Sequence, residues 1–479
     1  MKIKRHISLS LAILMLSSLA SCSDTVKKAE ISTDSSSVNS SNNSQGESTQ
    51  EKKEDIILTM AMSGDPEPLE KVIEEFNESD NGYQVQIKRY GGQLNDDGTI
   101  NELTREQLQY KDIEILQDIM NTTNVDIVCN YSFTDMAYYS ILQNKGAFVD
   151  LYTFMENDSE VNTDTLDTHI LNLNEIDNKL YAMPTFYSIN SLYGESQYVG
   201  TKENWTFDEF VEHWNAMPPD STLMGATDKD GVFNVVLRRN LESFVDYENV
   251  KVNFDSPDFR RMLEFCNQFE LCLADKATYN YDVPSMLAPL YATAIMAAPT
   301  FNKDNGKTCV GYPSIDGNGS YLSSNGFSFS ICASSSPEKQ KAAWEFIRIF
   351  ATEEWQVENV ITLMSGQGVI DDYYSTEIGY CVNKNAFDTI SERLINKEYY
   401  SATFKNKDIE YERRFPNEED VKELRRYINS VNRWENGTSR PIYEIVVEEA
   451  SAYFAGGQTI DETIEHIQNR ASLWISEQS

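Results

Sequence analysis

The chain has 479 residues, 40% of them hydrophobic, and its 76 acidic against 40 basic side chains give a formal net charge of −36. So acidic a chain disfavours nucleic acid, whose capture needs cations against phosphates, and disfavours direct adhesion to anionic lipid. The length suffices for two or three cores, and no apolar run reaches the roughly 20 residues of an ordinary membrane-spanning helix.

Lys2, Lys4 and Arg5 open the chain, and an apolar run from Ile7 to Ala20 follows, broken by Ser8, Ser10, Ser17 and Ser18. A basic start before a short apolar stretch is the pattern of a secretory signal. Leu19-Ala20-Ser21-Cys22 ends it. Small residues suit a peptidase, and the cysteine supplies a thiol for a diacylglyceryl group. The segment resembles the lipobox of bacterial lipoproteins. That resemblance implies a signal peptide over residues 1–21, a lipid anchor on Cys22, and residence at the cell membrane on its extracytoplasmic side. Residues 22–55 are rich in Ser, Asn, Asp and Glu. With little apolar surface to offset the entropy of ordering, they read as a flexible tether.

The folded part begins with Ile56-Ile57-Leu58-Thr59-Met60-Ala61, a buried strand, and the turn Ser63-Gly64-Asp65-Pro66. Leu69, Val72, Ile73 and Phe76 recur at helical spacing, and residues 83–87 alternate as a strand. This β-α-β order points to a parallel sheet with helices on its faces. A helix over 110–120, a buried strand over 125–129 and a helix over 136–142 repeat the pattern. Ligands in such sheets bind outside the carboxyl ends of strands, which places Asp65 and Asn130 to Phe133 beside a possible site. Further on, 188–193 reads as a strand and Thr206 with Glu209 as a capping box. Ser256-Pro257 opens a helix, 292–298 is an apolar strand candidate, and 325–331 alternates as a half-buried strand. Ser336-Pro337 opens a long helix, and 459–474 is helical. Between 373 and 434 the chain is polar, with helices over 386–394 and 421–431 and an exposed excursion over 401–418.

Of the seven cysteines, six remain besides Cys22: Cys129, Cys266, Cys272, Cys309, Cys332 and Cys381. Export would permit disulfides, but Cys129 and Cys332 lie in apolar strand-like runs. Cys266 and Cys272 share one apparent helix, too far apart along its axis for an easy bridge. The preferred reading is six buried free thiols.

Much catalytic chemistry is missing. There is no Gly-rich nucleotide loop and no nucleophile elbow. His169, His213 and His466 show no zinc-ligand spacing, and Asp316-Gly317-Asn318-Gly319 reads as a turn, lacking the length and closing Glu of a calcium loop. No metal and no cofactor are expected.

Taken together, the segments resemble the bacterial extracellular solute-binding proteins of family 1, the sugar-binding components of ABC importers. The lipobox, the first strand with its Asp65 turn, and Val125-Asp126-Ile127-Val128 before polar and aromatic residues carry the likeness. So does Asp177-Asn178-Lys179-Leu180-Tyr181-Ala182-Met183-Pro184, in which Asn178 and Ala182 replace two glycines of the family pattern. Asn325-Gly326 followed by the Ser336 helix, then Tyr453-Phe454-Ala455-Gly456 and Ile467-Gln468-Asn469-Arg470, complete it. The resemblance implies an α/β, two-lobed periplasmic-binding-protein-like fold of type II, hinged through several crossovers near 180–186, 300–312 and 352–365. Lobe 1 would hold 56–184, with 303–352 as hinge return and second part. Lobe 2 would hold 185–302 and 353–479, including the helical excursion near 373–434.

The function this implies is capture of a mono- or oligosaccharide in an interlobe cleft and delivery to the transmembrane subunits of an ABC permease, without catalysis, by a lipid-anchored monomer. Aromatic faces suit sugar C–H surfaces, and amides or carboxylates suit the hydroxyls. By position, the expected ligand-binding residues are Asp65, Asn130, Tyr131, Phe186, Tyr187, Tyr291, Asn325 and Trp434. Two readings compete. A surface glycan hydrolase would need a carboxylate pair about 5–10 Å apart, and an adhesion module would present a flat surface without a closing cleft.

Overall fold

A computed structural model of the protein describes residues 55–62, 67–90, 105–121, 124–129, 136–219, 221–224, 228–246, 249–270, 284–364, 374–398, 403–406, 409–412, 414–435 and 440–478. Residues 1–54, which include Cys22, the expected leader and all but the last residue of the expected tether, lie outside them.

The first third is built as its alternation predicts. Strand β1 (Ile56–Met62) leads to α1 (Glu67–Glu78), β2 (Tyr83–Arg89), α2 (Arg105–Asn121), β3 (Ile127–Cys129) and α3 (Met136–Asn144). β1 runs parallel to both β2 and β3, with Leu58 opposite Val85 and Met60 opposite Ile127. Successive strand side chains point to opposite faces. Leu58 and Met60 therefore join one core with Leu69, Ile73 and Phe76 of α1, while Ala61 and Val128 join a second, smaller cluster with Ile115 and Leu142.

β2 ends the sheet, and an edge strand exposes backbone groups that can recruit another chain. Asn77 at the end of α1 covers them: its amide nitrogen donates to the Val85 carbonyl (3.0 Å), and the Val85 N–H donates to its Oδ1 (2.7 Å). The side chain stands in for a neighbouring strand. The Asn77→Ala protein is expected to lose about 1–2 kcal/mol and to self-associate with rising concentration. Urea midpoints and sedimentation velocity check this; unchanged sedimentation would leave Asn77 with no protective role.

Two residues in the left-handed region, Asp177 (φ 53) and Asn178 (φ 59), make the turn before the next strand. Asn tolerates that conformation better than most residues, which lets Asn178 stand where the family pattern has glycine. Strand β4 (Met183–Glu195) follows. Beyond it come α4 (Phe207–Asn215), α5 (Lys229–Asn240), α6 (Pro257–Cys266), β5 (Ala288–Ala292), β6 (Lys307–Cys309), β7 (Tyr321–Ile331) and α7 (Pro337–Ile347). The chain closes with β8 (Tyr380–Cys381), α8 (Lys384–Ile395), α9 (Glu418–Ser430), α10 (Arg440–Phe454) and α11 (Ile460–Gln478). The capping box forms as expected, with Thr206 and Glu209 each bonding the other's backbone.

β4 is the axle of the eight-stranded sheet, whose order is β8-β4-β7-β3-β1-β2, with β5 and β6 also paired to β4. Its Ile189 packs in the first core, with β7, α7, α8 and α9; its Leu192 packs in another core, with α4, α5, α6, α10 and α11. The chain passes between these two cores again between Leu287 and Ala292, between Cys309 and Val310, between Val310 and Leu322, and between Val431 and Ile442.

Three expectations are corrected. The apolar run 292–298 is not a strand: β5 ends at Ala292, and Ile295–Thr300 is a 3₁₀ turn containing Pro299. Alanines lack the branched shape strands favour, and proline cannot donate to a ladder. α6 ends at Cys266 rather than running on as one longer helix, and Cys272 lies outside the described residues. Residues 353–479 do not pack as one part of the second body: Val360, Tyr380, Leu394, Leu424 and Val431 all belong to the first core, and the second receives side chains from Ile442 onward. The apolar stripes of α8 and α9 are consistent with either core, so periodicity could not choose between them. The expected excursion contains a hairpin, Thr403–Asn406 paired with Ile409–Glu412.

Cys129, Cys266, Cys309, Cys332 and Cys381 are buried thiols that form no disulfide. Burial pushes the Cys309 thiol up to about 12 and raises those of Cys266 and Cys332, so they are packing groups rather than nucleophiles. Among the described residues, no helix is long and apolar enough to cross a membrane.

Candidate ligand-binding site

Where β4 passes between the two cores, its neighbours on either side are β5 and β7. Asn190 pairs with Tyr291 of β5 and with Tyr321 of β7; Ser188 pairs with Ser323, and Phe186 with Asn325. Paired residues share a face of the sheet. Ser188, Asn190, Tyr291, Tyr321, Ser323 and Asn325 therefore form one polar strip across three strands.

The strip is internally ordered. Ser188 Oγ and Ser323 Oγ are 2.9 Å apart, and the Asn190 amide donates to Ser323 Oγ (3.0 Å). The Tyr291 hydroxyl donates to Asn325 Oδ1 (2.9 Å), and the Asn325 amide nitrogen donates to the Ile378 carbonyl. Tyr291 is 60% exposed, while Asn190, Ser323 and Asn325 are half-buried. The result is an aromatic ring held in a fixed direction beside amides and hydroxyls, facing solvent.

The far end of the strip is closed by a charged pair. Arg239 of α5 is 2% exposed and lies over the Tyr321 ring, 3.3 Å from its centroid, with Tyr312 at 5.1 Å. It reaches Glu435 at 3.1 Å. One cation and one anion leave this end without net charge. The arrangement offers directed hydrogen bonds and a ring face but no excess of cations for a phosphate. Among the described residues, no group of three His, Cys, Asp or Glu side chains is placed to hold a metal ion, and Asp316 caps its own turn by accepting from the Asn318 N–H (2.9 Å).

Of the residues expected from sequence, the structure brings Tyr291 and Asn325 together directly. Phe186 and Tyr187 are each 1% exposed. Phe186 packs against Trp355 (5.8 Å) and Tyr187 against Tyr380 (5.5 Å). Tyr187 points to the face opposite the strip, and Phe186, although it pairs with Asn325 on the strip's own face, is buried beneath Trp355. Trp434 is half-buried and bridges to Leu322, which puts it on the opposite face from Tyr321 and packs it against the first core. Asp65, Asn130 and Tyr131 lie outside the described residues.

Sequence reading missed Ser188, Asn190, Ser323, Arg239 and Glu435. For the first three a signal existed: Ser188-x-Asn190 and Tyr321-x-Ser323-x-Asn325 repeat polar groups at the period of a strand within apolar surroundings. Arg239 and Glu435 meet across 196 positions of sequence, and no local pattern foretells that.

No family model matches the chain, and no curated protein matches it. Solved structures do. An extracellular solute-binding protein of family 1 from Alicyclobacillus acidocaldarius aligns with a TM-score of 0.50 and 11% identity, over 88% of this chain and 99% of that one. A de novo designed esterase improved by directed evolution aligns at 0.52 and 13% identity, over 89% and 100%. An ABC transporter solute-binding protein from Agrobacterium radiobacter K84, in complex with ribitol, aligns at 0.49 and 16% identity, over 88% and 99%. At such identities architecture is shared and chemistry does not follow from it. The chain has the two-lobed α/β fold of the extracellular solute-binding proteins of family 1.

Proposed function

We propose that the chain is the extracellular solute-binding component of an ABC importer. It captures a mono- or oligosaccharide between its two cores and hands it to the transmembrane permease subunits without chemical change. It acts as a monomer held to the membrane by lipid on Cys22. The observation that carries this reading is the uncharged polar strip with its exposed ring, lying across β5, β4 and β7 where β4 passes between two separately packed cores. A polyhydroxylated solute matches it: C–H faces meet Tyr291, and hydroxyls meet Asn190, Ser323 and their neighbours. Asp65, Asn130 and Tyr131 follow β1 and β3 in sequence and are proposed to complete the site. Ligand then favours the arrangement in which both bodies touch it, so binding shifts an open–closed equilibrium.

Titration calorimetry against a panel of mono- and oligosaccharides tests the proposal. Saturable 1:1 binding without turnover supports it. Steady release of product from an oligosaccharide would make the chain a glycan hydrolase, and no binding across the panel would remove sugar as the ligand class. For a sugar that binds, the Tyr291→Ala protein is expected to bind at least tenfold more weakly, a loss of about 1.4 kcal/mol. Its melting temperature should be nearly unchanged, because the ring is largely solvent-exposed.

A further inference from the structure

Tyr187 turns away from the polar strip to the other face of β4. It is 1% exposed, yet its hydroxyl has no hydrogen-bond partner among the described residues. Beside it lies a cavity of about 30 Å³ whose lining includes Asp167, Lys384, Phe387, Arg425 and Asn429. That is room for one water-sized occupant. Burial pushes the Tyr187 hydroxyl well above its usual range, with Asp167 adding to the shift and Arg425 opposing it. The phenol therefore stays protonated, a donor facing both charges.

The charges around the cavity do not cancel. Lys384, on the first turn of α8, has no carboxylate within ion-pair distance among the described residues. Arg425 of α9 lies over the Phe387 ring at 4.1 Å and bonds Asp388. Asp388 is 69% exposed, so solvent screens much of that pairing. Asp167 accepts from the His169 N–H (3.0 Å) as the cap of the helix Thr168–Leu173. Two cations and one anion line the space itself, an excess of one positive charge that Asp388 offsets only from the solvent side of Arg425. A water would accept a hydrogen bond from the Tyr187 hydroxyl but leave that charge uncompensated in a partly buried place.

We propose that this cavity binds one small monovalent anion of halide size, held by the Tyr187 hydroxyl, the Lys384 ammonium and the Arg425 guanidinium. The ion joins β4 to α8 and α9 within the first core and is independent of sugar binding at the strip. The test uses crystals of the protein soaked in sodium bromide, with anomalous data at the bromine edge. It adds thermal melting in sodium chloride and in sodium gluconate at equal ionic strength. The expected result is a bromide peak within hydrogen-bonding reach of Tyr187 Oη and a melting temperature several degrees higher in chloride. That increment should vanish in Lys384→Gln and in Tyr187→Phe. Lys384 is only half-buried, so its variant keeps the test valid if Tyr187→Phe fails to fold. A cavity holding water alone, with equal melting in the two salts, overturns the proposal.

Discussion

Replacing Arg239 with methionine is expected to destabilise the protein by about 3 kcal/mol, the scale for removing one partner of a buried ion pair. The guanidinium is almost wholly enclosed, flat on Tyr321 and bonded to Glu435. Methionine can fill much of the space but leaves the Glu435 carboxylate, whose side chain is 15% exposed, without its cation. Adding Glu435→Gln to the methionine variant should recover part of the loss, since a neutral amide tolerates the same surroundings. Urea unfolding of the two single variants and the double variant measures the coupling. Strictly additive losses would mean that Arg239 acts through packing alone. The pair also links α5 of the second core to the strand residues beside β7, so its removal should widen the solution dimensions of the ligand-free protein in small-angle scattering.

Asp158→Asn is expected to cost a similar amount, about 3 kcal/mol at neutral pH, with a pH signature. The Asp158 side chain is 7% exposed and pairs with Arg348. It also accepts from the Trp344 indole (2.9 Å) and from the amides of Glu160 and Val161 (2.9 Å each). Burial alone would raise its carboxyl; the Arg348 hydrogen bonds, the two amides and the indole override burial and hold it below the ordinary value of 3.8. The folded chain thus binds this proton more weakly than the unfolded chain does. The stabilisation is complete above the unfolded value and is lost as pH falls through the folded one. The gap in stability between the native and Asp158→Asn proteins should stay level from neutral pH down to mild acid and narrow below about pH 4. A gap that persists in acid would show that charge is not its source.

Local periodicity made most of the secondary structure legible. Leu69, Ile73 and Phe76 specify α1, and Ser336-Pro337 fixes the start of α7, because these signals are complete within a few residues. What could not be read is set by distance along the chain. α8 and α9 each present an apolar stripe, but a stripe does not name its partner, and both joined the first core rather than the second. The site divides in the same way. Tyr291 and Asn325 are expected from their places near strand crossings, and the structure joins them in one hydrogen bond. Phe186 and Tyr187 were expected beside them, yet whether a residue on a long central strand meets solvent depends on which helices cover that stretch. Arg239 is the extreme case, a basic residue in a helix whose burial depends on the ring of Tyr321, far along the chain.

The Tyr291–Asn325 hydrogen bond has a chemical consequence for any solute that reaches the ring. With its only proton directed at Asn325 Oδ1, the phenolic oxygen meets newcomers as a Lewis base. A free alcohol can donate to it. An ether or O-methylated position brings lone pairs against lone pairs and is repelled. If the proposed sugar capture holds, partial methylation of the sugar should therefore weaken it at the position nearest this oxygen through electronic mismatch, in addition to any effect of bulk.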